Sequence, residues 1–116
     1  MSEIERQSGR MTPKKCKGYW IARVDVHDPE AYKKYFLANA EPFKKYGARF
    51  LVRGGRCTCV GGSMRARNVV IEFASYEKAL ACWNSPEYQH AASFRQPPVA
   101  EGDFIICEGY DSVPPG

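Results

Sequence analysis

Residues 18–26, GYWIARVDV, put Trp20, Ala22, Val24 and Val26 on one side of an extended chain and Tyr19, Ile21, Arg23 and Asp25 on the other. This is the period of a β-strand, and both of its sides carry apolar surface. A sheet built on it must therefore be covered on two faces. Asp28-Pro29 follows at once. The aspartate offers a side-chain acceptor for capping, and the proline occupies the first helical position, where its missing N–H costs nothing, so a helix starts here. Tyr32, Tyr35, Phe36, Asn39, Phe43 and Tyr46 recur at steps of three and four, with Lys33, Lys34, Lys44 and Lys45 largely off that stripe. The stripe reads as packing, and Gly47 supplies the left-handed stop.

The remaining segments complete a pattern. Arg49 to Val60 reads as a long strand interrupted at Gly54-Gly55, where residues without side chains permit a bulge or bend. Gly61-Gly62-Ser63 turns the chain, and Val69 to Ala74 returns as a third strand. Ser75 caps a second helix through Tyr76, Ala79, Leu80 and Trp83; Ser85-Pro86-Glu87 repeats the cap signature to begin a short extension through Tyr88 and His90. Gly102 to Gly109 is the last strand. The order βαββαβ in so short a chain implies an α+β fold: a four-stranded antiparallel sheet with the helices on one face, the split βαβ arrangement. The other face is left bare, and a homodimer stacking two sheets face to face would cover it and enclose a cavity. Residues 1–16 read as a mobile arm or an alternative start ahead of Met11, 17–110 as the domain and 111–116 as a tail.

Composition narrows the function classes. No apolar run approaches the length needed to span a bilayer, so no membrane partner is expected. The formal charge of +4 is concentrated at the start, where five basic residues precede Gly18 against Glu3 and Glu5, leaving a nearly neutral body. Nucleic acid is therefore a poor candidate partner. The five cysteines are odd in number and the opening MSEIERQSGR lacks a secretory pattern, which suits a reducing cytoplasm. Cys57 and Cys59 share one side of the expected strand and read as small buried side chains; they are too few for a metal site, and none is expected. Without a glycine-rich phosphate loop, zinc spacing or a nucleophile triad pattern, no cofactor is expected either.

Arginine supplies the functional clue. Between Arg49 and Glu72 lie Arg53, Arg56, Arg65 and Arg67, with neither a lysine nor an acidic residue among them. Arginine couples permanent charge to a planar donor fork, the geometry that seats carboxylate or phosphate. Arg49 and Arg53, four apart on one strand, are expected on the same face, where they reach an acidic ligand or Glu72 of the next strand. Glu72 lies in the VVIEF run and needs water, an arginine or a ligand. Arg95 can close over the same site, with Tyr88 adding a hydroxyl. The alternative for these five, Arg49, Arg53, Glu72, Tyr88 and Arg95, is a structural ion-pair network. Arg56, Arg65 and Arg67 lie nearer the turn, solvated or against a partner subunit. His27 adjoins a helix cap, and His90 is expected on a surface turn.

Six segments in order, KGYWIARVDVHDPEAYKKYF, YGARFLVRGG, VVIEF, CWNSPEYQ, Arg95 and EGDFIICEG, resemble the DUF1330 family of the dimeric α/β-barrel superfamily. The likeness spans residues 17–110. It implies a ferredoxin-like protomer and a face-to-face dimer, and it implies no assigned reaction. Relatives in the superfamily include cofactor-free monooxygenases, with sites between sheet and helices or inside the barrel. The resemblance favours Asp28, Tyr35, Gly47, Arg49, Gly54, Arg67, Glu72, Trp83, Ser85, Tyr88 and Arg95. Val60-Gly61 stands where family members often carry Glu-Gly. Together these features suggest a homodimer that binds, or acts without cofactor on, a small acidic or aromatic molecule, with Glu72 or a histidine moving a proton. The alternative is a non-catalytic dimerisation or regulatory module; the sequence leaves open whether the chain is an enzyme.

Overall fold

The chain folds as a four-stranded antiparallel sheet with its helices on one side, seen in a computed structural model that describes residues 16–110. The arm expected over 1–16, Cys16 apart, and the tail over 111–116 lie outside the described residues. The strands are β1 (Gly18–Val26), β2 (Arg49–Arg53), β3 (Arg67–Phe73) and β4 (Ala100–Glu108), in the spatial order β2-β3-β1-β4. Helix α1 (Pro29–Lys45) joins β1 to β2; α2 (Tyr76–Asn84), α3 (Pro86–Ala92) and a 3-10 turn (Ser93–Arg95) join β3 to β4. Among the described residues the sheet does not close on itself, and β2 and β4 are its edges.

Local chemistry sets these boundaries. Asp28 accepts from the Ala31 N–H at 3.1 Å, Ser75 from Lys78 at 3.0 Å and Ser85 from Tyr88 at 3.1 Å, so each helix start has a capped donor. Gly47, at φ 72°, takes the left-handed conformation that ends the first helix. On β1, Trp20, Ala22 and Val24 are buried under the helices, while Ile21 and Arg23 are exposed on the bare face. Trp20 anchors the core. Its ring centroid lies 4.8 Å from Tyr88, 5.3 Å from Phe43 and from Phe73, and 5.4 Å from Trp83, and its indole N–H donates to the Ala79 carbonyl at 2.9 Å. Cys82 is also fully buried, and burial pushes its thiol up to about 12, as befits a packing residue.

The long strand expected over Arg49–Val60 is corrected. Strand β2 stops at Arg53, and residues 54–66 carry no strand. Cys57 and Cys59, expected to be buried, are exposed there. Strands β3 and β4 each begin two residues and end one residue earlier than expected: β3 runs from Arg67 to Phe73 and β4 from Ala100 to Glu108. Within β2 the pairing to β3 slips between Phe50 and Val52, leaving Leu51 as the extra residue of a bulge. That slip has a consequence for the site. Arg49 stands opposite Glu72 on the bare face, whereas Arg53 stands opposite Val69 on the helix-covered face. The expectation that the two share a face fails because a bulge inverts the alternation beyond it.

The same register builds an apolar row across the bare face. Val52, Val70, Ile21 and Ile105 are successive partners from edge to edge. Ile21, Val52 and Ile105 remain 36, 38 and 55 % exposed. Charges flank the row. At one end Glu72 accepts from the Tyr19 hydroxyl at 3.0 Å and lies 3.9 Å from the Arg49 guanidinium. At the other, Arg65 donates to Asp103 at 3.0 Å and to Asp25 at 2.8 Å. The Ala66 N–H first, and Arg65 beside it, hold the Asp25 carboxyl below the usual carboxylate range.

Candidate functional site

Helix α1 does not seal completely against the sheet. Beneath it lies an aromatic chamber of about 30 Å³, room for one or two waters. Trp20 and Ala22 line it from β1, Tyr32 and Phe36 from α1, Phe50 from β2 and Phe104 from β4. Its charged lining is Arg53 and Arg67. The Arg53 guanidinium lies 4.0 Å from the Phe50 ring centroid and that of Arg67 5.0 Å from Phe36, both within cation–π range. Among the described residues neither has a carboxylate within ion-pair distance.

Gly54 makes room for this arrangement. It sits at φ 70°, and a Cβ placed on it would run into Arg67 Nη1, with Cζ at 3.1 Å. Gly54→Ala is therefore expected to cost about 1–2 kcal/mol in backbone strain and to push the Arg67 guanidinium off the Phe36 face. Urea unfolding together with a crystal structure of the variant would check this; an unmoved Arg67 at wild-type stability would refute it.

Behind the chamber wall the buried hydroxyls of Tyr35 and Tyr88 lie 2.8 Å apart, and Arg95 Nη2 donates to Tyr88 at 3.2 Å. Burial raises both tyrosines, so they stay protonated at neutral pH. Burial, with Tyr35 beside it, likewise pushes the Tyr32 hydroxyl up to about 12 against the pull of Arg67 and Arg95. The half-buried Arg95 guanidinium is stacked 4.1 Å from the Phe104 centroid, also has no ion-pair partner among the described residues, and leaves a buried Nε without an acceptor. Its other side opens on a groove of about 500 Å³ shared with Trp83 and Gln96. Positive charge thus surrounds an apolar chamber on two sides.

The five residues singled out in the sequence are divided rather than gathered. Arg49 and Glu72 meet on the bare face, Arg53 reaches the chamber, and Tyr88 with Arg95 stands behind it. Arg95 does not close over Glu72, because the sheet separates them. In the sequence Tyr32 and Phe36 read only as packing, and Arg67 as a turn residue that the family resemblance alone favours. A signal for Arg67 was present: it has the parity of Val69 and Ile71, on the helix side of β3. His27 lies 3.7 Å from Glu101, and the exposed His90 packs its ring on Phe94 at 5.2 Å; neither lines the chamber. No cluster of three or more His, Cys, Asp or Glu side chains among the described residues is placed to hold a metal ion. No helix among them is long and apolar enough to cross a membrane.

A split βαβ sheet bare on one face, with an aromatic chamber on the other, defines a ferredoxin-like α+β protein. Within that class, the chain belongs to the family described as Domain of unknown function (DUF1330), whose model matches residues 17–110. Among solved structures it is similar to the RPA0582 protein of unknown function from Rhodopseudomonas palustris, with a TM-score of 0.67 at 16% identity over 85% of this chain and 86% of that one. A dimeric ferredoxin-like protein of unknown function from Thermobifida fusca matches at a TM-score of 0.56 and 13% identity, over 88% of this chain and 99% of its own. SnoaB, a cofactor-independent oxygenase from Streptomyces nogalater, matches at 0.53 and 14%, over 86% and 99%. No curated protein matches the chain. At these identities the likeness is one of fold.

Proposed function

We propose that the protein is a homodimer that binds a small aromatic carboxylic acid in the chamber beneath α1. One observation carries the reading: Arg53 and Arg67, two guanidiniums without a carboxylate partner among the described residues, line a single aromatic cavity. Two like charges held together on apolar surface are relieved by an anion, and the planar forks suit a carboxylate. The chamber as it stands is water-sized, so a ligand ring enters by displacing the guanidiniums from Phe50 and Phe36, exchanging two cation–π contacts for two charge-assisted hydrogen bonds. Arg95 adds positive potential from behind Tyr88.

Binding is favoured over turnover. Every described lining residue is apolar, an arginine, a protonated tyrosine or an asparagine, so no carboxylate or histidine among the described residues faces the chamber to act as a base. The fold shared with the oxygenase SnoaB is compatible with a cofactor-independent reaction, and a partner subunit would then have to supply that base. The apolar row on the bare sheet face, and the description of a structural relative as a dimer, support the homodimer. The odd set of cysteines, with Cys57 and Cys59 solvent-exposed, supports a reducing cytoplasm.

A thermal-shift series tests the ligand reading. Benzoate and phenylacetate should stabilise the protein, by about 2.7 kcal/mol at a hundred times Kd, while benzyl alcohol should not. The R53Q/R67Q variant should lose the response. Equal effects of acid and alcohol, or an undiminished response in the variant, would remove the proposal.

A further inference from the structure

A trough runs along the β4 side of the helix layer. Tyr76, Leu80 and Trp83 follow one another at steps of four and three, so they share one stripe of α2. Gly102, Phe104 and Ile106 stand opposite Val24, Ala22 and Trp20, which puts them on the helix-covered side of β4. Between stripe and strand lies a groove of about 340 Å³, lined by Tyr76, Leu80 and Ile106. It meets the groove of about 500 Å³ beside Arg95 at Trp83 and Phe104, which line both. The strand rises about 13 Å from Gly102 to Ile106, so the joined trough has the length for an extended alkyl chain. Its apolar walls, Tyr76, Leu80, Trp83, Phe104 and Ile106, are all half-buried, packed on one side and open on the other.

Arg95 closes one end of the trough with an unmatched charge. Its guanidinium carbon lies 4.1 Å from the Phe104 ring centroid, 5.7 Å from Trp83 and 5.9 Å from Tyr88, so aromatic rings replace much of its water. Nη2 is given to the Tyr88 hydroxyl, Nε is buried without an acceptor, and no carboxylate among the described residues comes within ion-pair distance. A charge so desolvated is costly until an anion meets it. The other charges bordering the groove are already paired: Arg65 donates to Asp25 and Asp103, and Glu101 lies 3.7 Å from His27. One unmatched positive charge at the end of an apolar trough is complementary to a ligand with a single negative charge and an apolar tail.

We propose that this trough binds a medium-chain alkyl carboxylate, with its head group on Arg95 and its chain over Trp83 and Phe104 toward Leu80 and Ile106. The carboxylate supplies the acceptor that the guanidinium lacks, and the chain covers apolar surface that water otherwise wets. Of the residues lining the trough only Phe104 also lines the aromatic chamber, and the charged groups differ, Arg95 here and Arg53 with Arg67 there. The inference therefore stands apart from the ligand proposed for the chamber. The trough lies on the helix side, across the sheet from the bare face that a dimer would cover.

Fluorescence titration of the full chain tests the site, since Trp83 borders the trough whereas Trp20 is buried. Octanoate should change the emission saturably, and affinity should rise about tenfold for every two methylenes from butanoate to octanoate. Octan-1-ol should bind about tenfold more weakly than octanoate, and Arg95→Gln should erase that preference for the acid. Because Arg95 also supports Tyr88, Leu80→Glu provides a second variant at the far end of the trough. With its fold established by circular dichroism, it should weaken octanoate about tenfold and leave the shorter butanoate unaffected. R53Q/R67Q, which should abolish the benzoate response, should still bind octanoate, so the two ligand readings fail separately. A titration without saturation, an affinity independent of chain length, or equal binding of acid and alcohol overturns the proposal. So does an octanoate response lost in R53Q/R67Q and kept in Arg95→Gln, which would put the acid in the chamber.

Discussion

Trp20→Ala should lower the unfolding free energy by about 3–5 kcal/mol, a loss comparable to the total stability of a marginal domain. The expectation follows from position. Trp20 is 3 % exposed at the middle of β1 and touches rings from α1, β3, α2 and α3, so its removal leaves a cavity that four separate elements would have to shift to fill. The cavity would open beside Tyr88, loosening the wall on which the tyrosine pair and Arg95 depend. Urea unfolding followed by circular dichroism measures the effect, with Leu37→Ala as the comparison, since Leu37 is 80 % exposed on α1. Similar midpoint shifts for the two variants would mean that the aromatic cluster is not the core.

The second large effect concerns assembly. I21D/I105D should convert a dimer into a folded monomer, weakening association about a thousandfold, or ~4 kcal/mol. Ile21 and Ile105 are direct partners at the β4 end of the apolar row, and neither belongs to the buried core of its own protomer. In a face-to-face dimer four such side chains are covered, each removing about 1.5–3 kcal/mol of apolar exposure. Carboxylates at the same positions would be trapped without partners. Sedimentation of the variant and wild type, with circular dichroism to establish that the fold persists, decides the matter. A variant that sediments as wild type excludes this face as the interface.

Much of the architecture was legible because its signals are local. A strand with period two, a cap followed by proline and a glycine in the left-handed conformation are each set by a few adjacent residues, so β1, α1 and the paired helices α2 and α3 fall where the spacing puts them. The candidate site was less legible. Arg49 and Arg53 were assigned one face on the assumption of unbroken alternation, and one slipped residue at Leu51 parts them. Cys57 and Cys59 sit in strand-like sequence without strand partners, since a strand needs a neighbour and none is available among the described residues.

The alternating and capped segments alone dictated the βαββαβ order, the helix-covered side of β1 and the apolar character of its bare side. These depend on the direction in which each side chain leaves the backbone. Only the tertiary structure decided which arginines share a cavity, that Tyr35 and Tyr88, 53 residues apart, meet at 2.8 Å, and that Glu72 is spent on Tyr19 and Arg49. Such meetings depend on strand register and on how a helix seats against the sheet, both of which are set by packing across the whole domain rather than by neighbours in the chain.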